Sequence, residues 1–440
     1  MPRVALRTLG CKVNQYESQK IAEDFRSKGF ELVDFSNQAD VYVVNTCTVT
    51  QIADSKSRQA ARSAVNRNPR AAVVLTGCYA ETSPEQLQAI AGVALVLGNR
   101  EKPRLVEQVV GLLGSSEREI PPTAGKSEIR PANGGKVRSR TRALLKIQDG
   151  CDQFCSYCVV PFARPDMYSR PYGQVLEEAR ELASRGFKEI VLTGIRLGRY
   201  EDKHADLVGL LEDLAGVPGI ERIRLSSIEL TDVHEGLLGL MARSRKICRH
   251  LHVPLESGDD GVLARMNRPY TTAEFSSFVR EARAKVPGIA ITTDIMVGFP
   301  GETDDEFETS YAFAEEMQFA RMHVFKYSVR PQTAAAMLPD DVSHAQKERR
   351  SARLIELSRR CCQEFASAFL GAAVSVLVEG KRANGNVRSG LTDNYLKVAF
   401  EGGCDLVGKI VNVRIEWASQ GVAFGVLAER NGRSAAGGSA

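Results

Sequence analysis

Residues Ala143-Leu144-Leu145-Lys146-Ile147-Gln148-Asp149-Gly150-Cys151-Asp152-Gln153-Phe154-Cys155-Ser156-Tyr157-Cys158 join a short apolar run to a turn and then to three cysteines spaced C-x3-C-x2-C. The run Ala143–Ile147 reads as a strand, and Asp149-Gly150 as the turn that ends it. Three thiolates on one loop can grip three irons of a cubane cluster and leave the fourth iron open to a ligand. Ordinary buried cysteines and a zinc knuckle are the competing readings. Buried cysteines rarely crowd three into so short a stretch, and tetrahedral structural zinc wants a fourth ligand, for which no histidine stands between Gly150 and Tyr200.

Downstream of this loop, apolar runs at Glu189–Thr193, Ile223–Leu225, His250–Val253, Ile289–Val297 and Met322–Phe325 are each followed by a helical pattern such as Gln174–Arg185. With Ala143–Ile147 they make six strand–helix units, which predicts a partial α/β barrel over 143–369. Upstream, Val4–Leu9, Val41–Val44, Val73–Thr76 and Val93–Leu97 alternate with amphipathic stretches, so 1–114 is predicted to be an α/β domain on a parallel sheet. Residues 115–142 carry Pro121, Pro122, Pro131, Gly134 and Gly135 among basic residues and read as an exposed linker. After the basic amphipathic stretch Gln346–Phe369, the period-two segments Val374–Val378, Leu396–Phe400 and Ile410–Ile415 predict a small all-β domain over 370–430. Residues 431–440 read as a mobile tail.

The 440 residues suit two or three domains of ~150 residues each. Hydrophobic residues at 43% and charged residues at 25% exclude wholesale disorder and a coiled-coil rod. A net charge of +4 means that a nucleic acid would have to meet a local basic patch. With no signal-peptide core at Met1–Arg7 and no run near the ~20 apolar residues of a membrane span, the chain reads as cytoplasmic. Its ten cysteines then point to metal, cluster or nucleophile rather than disulfides. Cys11, Cys47 and Cys78 each stand at the end of a predicted strand, and in a parallel sheet such ends share one edge, where sites gather. They make a second candidate cluster site; core packing is the alternative. Cys248, Cys361, Cys362 and Cys404 show no metal spacing.

The loop Cys151–Cys158 at the end of the first barrel strand resembles the cluster loop of the radical S-adenosylmethionine superfamily. With the upstream triplet and the all-β tail, the chain to about Arg430 resembles the methylthiotransferase family: an N-terminal α/β domain, a partial (β/α)6 radical barrel and a small OB-like TRAM domain. Gly10-Cys11-Lys12-Val13-Asn14-Gln15-Tyr16-Glu17 and Asn45-Thr46-Cys47-Thr48-Val49-Thr50 are similar to the branch acting on threonylcarbamoyladenosine in tRNA.

That resemblance implies two [4Fe–4S] clusters, one on Cys151, Cys155 and Cys158 and one on Cys11, Cys47 and Cys78, with S-adenosylmethionine as cofactor. The first would bind S-adenosylmethionine and reduce it to methionine and a 5′-deoxyadenosyl radical. The second would present sulfur for methylation and for bonding to C2 of the adenine. Cofactor contacts would come from Tyr157, from Thr193 and Gly194, from Ser226 and Glu229, and from Gly298 and Gly301, at or near consecutive barrel strand ends. No residue is assigned as a catalytic acid or base. The base to be modified would be splayed from the anticodon loop. Arg164, Arg170, Lys381, Arg382 and Arg388 are candidate RNA contacts, as are Lys136–Arg142 and the arginines at 349, 350, 353, 359 and 360. A solvated face is the alternative for each. A low-potential electron donor such as flavodoxin or ferredoxin is implied, and a monomer is expected.

The chain departs from the family pattern at Ala163-Arg164-Pro165-Asp166-Met167-Tyr168-Ser169-Arg170, where proline replaces a usual glycine, and at Arg196, where histidine is common. Proline removes a backbone donor and fixes φ, so this loop takes its own path. Rival functions are methylthiolation of another tRNA adenosine or of a ribosomal-protein aspartate. A zinc-bearing RNA-binding protein without catalysis is the rival from a different class.

Overall fold

The computed structural model describes residues 1–115, 141–381 and 386–428. The predicted linker at 115–142 and tail at 431–440 therefore lie almost wholly outside the described residues. Two compact units emerge. One combines the described residues of Met1–Ser139 with Asp149–Tyr168 and Ser328–Leu338; the other holds those of Arg140–Gln148, Ser169–Tyr327 and Pro339–Ala440.

The first unit is built on five parallel strands in the order Glu31–Val33, Arg3–Thr8, Val41–Thr46, Ala72–Gly77, Val93–Leu97. Val41–Thr46 and Ala72–Gly77 are buried at every position, as a strand covered on both faces must be. Alternate residues feed two cores. Val41, Val43 and Val74 pack with Ile21 and Phe25 of the helix Lys12–Ser27, while Tyr42, Val44 and Leu75 pack with Ala60, Ala61 and Ala64 of the helix Gln51–Arg67. The short edge strand Glu31–Val33 escapes a pattern reading because three residues show no alternation. Its place matters, however: the strand order reverses between Arg3–Thr8 and Val41–Thr46, and at such a switch point the connections leave in opposite directions and open a crevice at the carboxyl ends.

In the second unit, Arg142–Lys146, Glu189–Thr193 and Arg222–Leu225 form one parallel sheet, and His250–His252, Ala290–Val297 and Arg321–Lys326 form another. Single bridges Ile223↔Ile247 and Ser227↔His252 join the two. The six strands of the expected partial barrel are thus present. Their outer faces, through Leu145, Leu192, Ile223, Leu251 and Ile295, bury against helix residues such as Val175, Leu210, Phe275 and Leu354.

Residues 373–427 form a closed barrel of strands Ala373–Lys381, Val387–Thr392, Lys397–Glu401, Val422–Leu427 and Ile410–Ser419, in that order. The second and fourth were not legible as strands because glycine interrupts their apolar alternation. A Cβ on Gly390 would fall 2.0 Å from the Leu377 carbonyl, and one on Gly425 1.9 Å from that of Arg414, so glycine is what lets these strands approach. This barrel caps the amino-terminal ends of the larger one. Arg222 donates to the carbonyls of Leu391 (3.0 Å) and Ser375 (2.7 Å), Arg224 donates to those of Asp393 (2.8 Å) and Thr392 (2.9 Å), and Tyr395 stacks on His250 at 4.5 Å. The carboxyl ends of the six strands are left for chemistry. No helix among the described residues is long and apolar enough to cross a membrane.

Candidate active site: two cysteine triplets and the barrel strand ends

Both cysteine triplets fall in the first unit. Cys11 and Cys47 leave the two strands that flank the switch point, and Cys78 leaves the next strand. Gly10, at φ +91°, turns the chain so tightly that a Cβ there would lie 2.8 Å from both Cβ and Sγ of Cys47. Gly77 plays the same part before Cys78, with φ +101° and a virtual Cβ 2.5 Å from the Thr46 carbonyl. Two asparagines lock the loops together. The Asn14 amide donates to the carbonyls of Leu9 and Thr46, both at 2.9 Å, and the Asn45 amide donates to the Asn14 carbonyl at 2.9 Å and to Ser18 Oγ at 3.1 Å. Beyond Cys47, Thr48 Oγ1 meets Asp54 at 2.7 Å, and Arg330 donates to Asp54 at 2.6 Å and to the Thr48 carbonyl at 3.1 Å.

Cys47 and Cys78 are buried, whereas Cys11 reaches solvent. Burial pushes the Cys47 thiol up to about 12, with the nearby thiols of Cys78 and Cys11 adding to the effect. Three sulfurs delivered from the ends of neighbouring strands, two of them buried, suit a positively charged inorganic core that would take them as thiolates. They do not converge as ligands of one ion would. Among the described residues, the one group of His, Cys, Asp or Glu whose ligand atoms all lie within 4.8 Å of one another is His252, Asp294 and His323. Buried oxygens at Asn45 Oδ1 and Thr76 Oγ1 find no hydrogen-bond partner among the described residues, so the pocket also holds acceptors not yet satisfied.

The second triplet lies on a loop folded back on itself. Gly150, at φ +80°, passes so close to the Asp166 carbonyl that a Cβ would sit 2.1 Å from it. Cys151 N–H donates to the Arg164 carbonyl at 3.2 Å, Cys155 N–H to Gln153 at 2.9 Å and Cys158 N–H to Cys155 at 2.9 Å. Cys155 is buried, while Cys151, Cys158 and the adjoining Tyr157 are partly exposed. The Gln153 side-chain amide is buried with neither of its polar atoms hydrogen-bonded among the described residues.

In the second unit the expected cofactor residues stand at the carboxyl ends of strands or just beyond them. The Thr193 carbonyl accepts from Ile147 N–H at 2.9 Å. Gly194 packs on Gln148, whose Oε1 accepts from Ile195 N–H (3.0 Å) and Arg196 N–H (2.7 Å). Arg196, the departure from histidine, is held by Asp232 at 3.1 Å. Ser226 is buried and its hydroxyl has no partner among the described residues, which suits a ribose hydroxyl. Glu229 is ion-paired with Arg268. Gly298 N–H donates to Glu302 at 2.6 Å, and a side chain at Gly298 would collide with Lys347; Gly301, at φ +74°, faces open space. Burial pushes the Glu302 carboxyl up, opposed by the Gly298 N–H and by Arg350 at 2.7 Å.

Sequence reasoning missed His252, Asp294 and His323. Asp294 accepts from His252 Nε2 and His323 Nδ1, each at 3.1 Å, across three neighbouring strands. Burial alone would raise its carboxyl, but the two imidazole contacts prevail and hold it well below the ordinary range. The signal was available: polar residues at every second position, His250-x-His252, Thr292-x-Asp294 and Arg321-x-His323, mark the inner faces of these strands.

Family comparison agrees with this layout. Residues 3–98 match the uncharacterized protein family UPF0004, 145–314 the radical SAM superfamily and 368–428 the TRAM domain. Over 427 residues the chain is 43% identical to the threonylcarbamoyladenosine tRNA methylthiotransferase MtaB of Bacillus subtilis, covering 94% of each protein. The chain belongs to the radical S-adenosylmethionine methylthiotransferase family. An MtaB of Aquifex aeolicus is 38% identical, covering 94% of this chain and all of that one, and a tRNA-2-methylthio-N(6)-dimethylallyladenosine synthase of Acetivibrio thermocellus is 32% identical, covering 94% and 90%. Among solved structures, the radical S-adenosylmethionine methyltransferase TsrM of Kitasatospora setae shares the fold, with TM-score 0.56 at 18% identity over 77% of this chain and 74% of that one.

For this methylthiotransferase the arginines expected to meet RNA need correcting. Arg164 is only 3% exposed and donates to Glu17, Asp149 and Asn14. Arg388 is equally buried, with Nε on the Gly403 carbonyl at 2.9 Å, and Arg170 is held by Glu178 (2.7 Å) and the Lys146 carbonyl (2.8 Å). On the helix His344–Ser367, Arg350 pairs with Glu302 and Asp304, Arg353 with Glu308, Arg359 with Glu356 and Arg360 with Glu315. Arg164, Arg350 and Arg388, buried against carboxylates and carbonyls, are not offered to phosphate, whereas Arg349, Arg353, Arg359 and Arg360 remain exposed, the last three in surface pairs of little strength. Arg142 likewise faces Glu379 at 2.7 Å. Arg382, the Lys381 side chain, Lys136, Arg138 and Arg140 lie outside the described residues.

Proposed function

We propose that this enzyme inserts a methylthio group at C2 of N6-threonylcarbamoyladenosine next to the tRNA anticodon, giving 2-methylthio-N6-threonylcarbamoyladenosine. Near full-length similarity to relatives named for that substrate carries the reading. In it, residues 1–114 and 143–369 form the N-terminal domain and radical barrel, and 370–430 the TRAM domain. Cys151, Cys155 and Cys158 hold one [4Fe–4S] cluster and Cys11, Cys47 and Cys78 the other. Tyr157, Thr193, Gly194, Ser226, Glu229, Gly298 and Gly301 orient S-adenosylmethionine. When bound, these groups supply the radical and the sulfur that functionalise an aromatic C–H that no protein base could deprotonate. The chain's own part is to orient the cofactor at the strand ends, to hold both clusters on rigid loops and to exclude competing hydrogen donors. The setting is the cytoplasm, with electrons from a low-potential donor such as flavodoxin or ferredoxin.

The test is analysis of modified nucleosides from a strain deleted for this gene. The methylthio nucleoside should vanish while its threonylcarbamoyl precursor accumulates, and the wild-type chain should restore it. Unchanged threonylcarbamoyl products with loss of a different methylthio nucleoside would reassign the substrate. Iron and acid-labile sulfide on reconstituted protein test the clusters: about eight irons per chain should fall to about four in a Cys151/Cys155/Cys158 triple-alanine variant.

A further inference from the structure

Arg164 stands six residues past Cys158, yet its side chain is spent on the other triplet's neighbourhood. Nη1 donates to Glu17 at 2.9 Å and to both oxygens of Asp149 at 2.8 Å; Nη2 donates to Asn14 and to Glu17, each at 2.9 Å. Its own carbonyl receives Cys151 N–H. Asn14 in turn grips the Leu9 and Thr46 carbonyls, the latter directly before Cys47. One residue therefore links the backbone of one triplet to that of the other by hydrogen bonds.

A second cation joins it. Lys102 is buried, donates to Glu17, and reaches Asn99 Oδ1 at 2.8 Å. The Asn99 amide spans the Ala163 carbonyl at 2.8 Å and Cys78 Sγ at 3.8 Å. Both cations thus stand one asparagine away from the triplet, Arg164 through Asn14 beside the Cys47 loop and Lys102 through Asn99 beside Cys78. Burying this many charges is a poor way to gain stability, because desolvation cancels most of the attraction. Such a group beside ligand sulfurs does have an electrostatic consequence, since the potential of a thiolate-bound cluster is set by nearby charge and hydrogen bonds.

We propose that the buried group Arg164–Glu17–Lys102 sets the reduction potential of the cluster on Cys11, Cys47 and Cys78, with Arg164 the positioning residue that also fastens the Cys151 loop to it. The inference rests on the cluster assignment above. Reduction adds negative charge, so a cation favours the reduced cluster and a carboxylate the oxidised one. The two substitutions Arg164→Met and Glu17→Gln thus carry opposite signs.

The experiment uses the full chain with Cys151, Cys155 and Cys158 replaced by alanine, anaerobically reconstituted, and a redox titration followed by electron paramagnetic resonance. Arg164→Met should move the midpoint to more negative potential, Glu17→Gln to more positive, and Arg164→Lys should leave it near the parent value. Shifts of the same sign, or none in Glu17→Gln, would overturn the proposal and leave the group a structural clamp. If Arg164→Met fails to load iron, Glu17→Gln and Arg164→Lys still decide the sign. A parent that holds no iron would instead refute the cluster assignment itself.

Discussion

Replacing Gly10 by alanine is the most direct challenge to the first triplet. The backbone at φ +91° costs an L-residue about 1–2 kcal/mol. The new methyl would arrive 2.8 Å from Cβ and Sγ of Cys47, and the Cβ cannot yield without moving a buried strand end; such overpacking costs about 1–3 kcal/mol. Together these give roughly 2–5 kcal/mol, a factor of about 30 or more in local opening at the lower end. A multidomain chain has no single unfolding free energy, so amide hydrogen exchange over residues 3–46 is the appropriate assay, with iron content beside it. Exchange should accelerate there and not in the barrel, and iron should drop from about eight to about four per chain. Gly111→Ala is the control: it lies in the helix Leu105–Ser115 with nothing within 4 Å of its virtual Cβ, and should stabilise by about 0.5–1 kcal/mol. A Gly10→Ala variant with unaltered exchange and full iron would refute the close approach of Gly10 to Cys47.

Arg224→Met should destabilise the second unit by about 1–3 kcal/mol, because fully buried Glu189 loses its 2.7 Å partner and keeps only Arg222 at 3.8 Å and Arg142 at 4.0 Å, and because two carbonyls of the TRAM domain lose their donor. Fluorescence of Trp417, the single tryptophan of the chain, will report it. Ser226→Ala should change stability by less than about 0.5 kcal/mol, since the hydroxyl has no partner to lose, yet weaken S-adenosylmethionine binding by about 1 kcal/mol in equilibrium dialysis. Unweakened binding would remove Ser226 from the cofactor site. Asp294 is a depressed carboxyl, so the stability it adds is present above the ordinary carboxylate pKa near ~3.9 and is lost as pH falls toward its folded value. Wild type should therefore melt above Asp294→Asn at neutral pH, with the gap closing below about pH 4; a pH-independent gap would contradict the assignment.

Much of the architecture was legible because burial leaves a periodic trace. Strands covered on both faces, such as Val41–Thr46, spell an apolar run, and each is followed by a helix with its own stripe. Glu31–Val33 and the two glycine-interrupted strands of the small barrel were not legible, since three residues carry no period and glycine at Gly390 and Gly425 serves a close backbone approach rather than the core. The triplet Cys151, Cys155 and Cys158 is singled out by its spacing alone. Cys11, Cys47 and Cys78 could be read only after the strands had been placed, because their common edge is a product of topology.

The buried arginines were misread for a reason that also explains what replaced the reading. A basic residue seen in sequence is surrounded by its local neighbours, and its carboxylate partners sit 147 residues away for Arg164 and Glu17, or 48 for Arg350 and Glu302. Local charge counting therefore overstates free positive surface wherever a fold pairs distant segments. The same distance gives Arg164 its interest: a phosphate contact needs only exposure, whereas a guanidinium whose two Nη atoms are held by Glu17, Asp149 and Asn14 needs all three segments folded together. Pro165 is compatible with that role. It withholds a backbone donor just where Arg164 supplies side-chain donors, and Asp166 beside it is tied to Arg100 at 2.6 Å. The departure from the family's glycine thus falls on a loop anchored from both sides, where a fixed φ costs little conformational entropy.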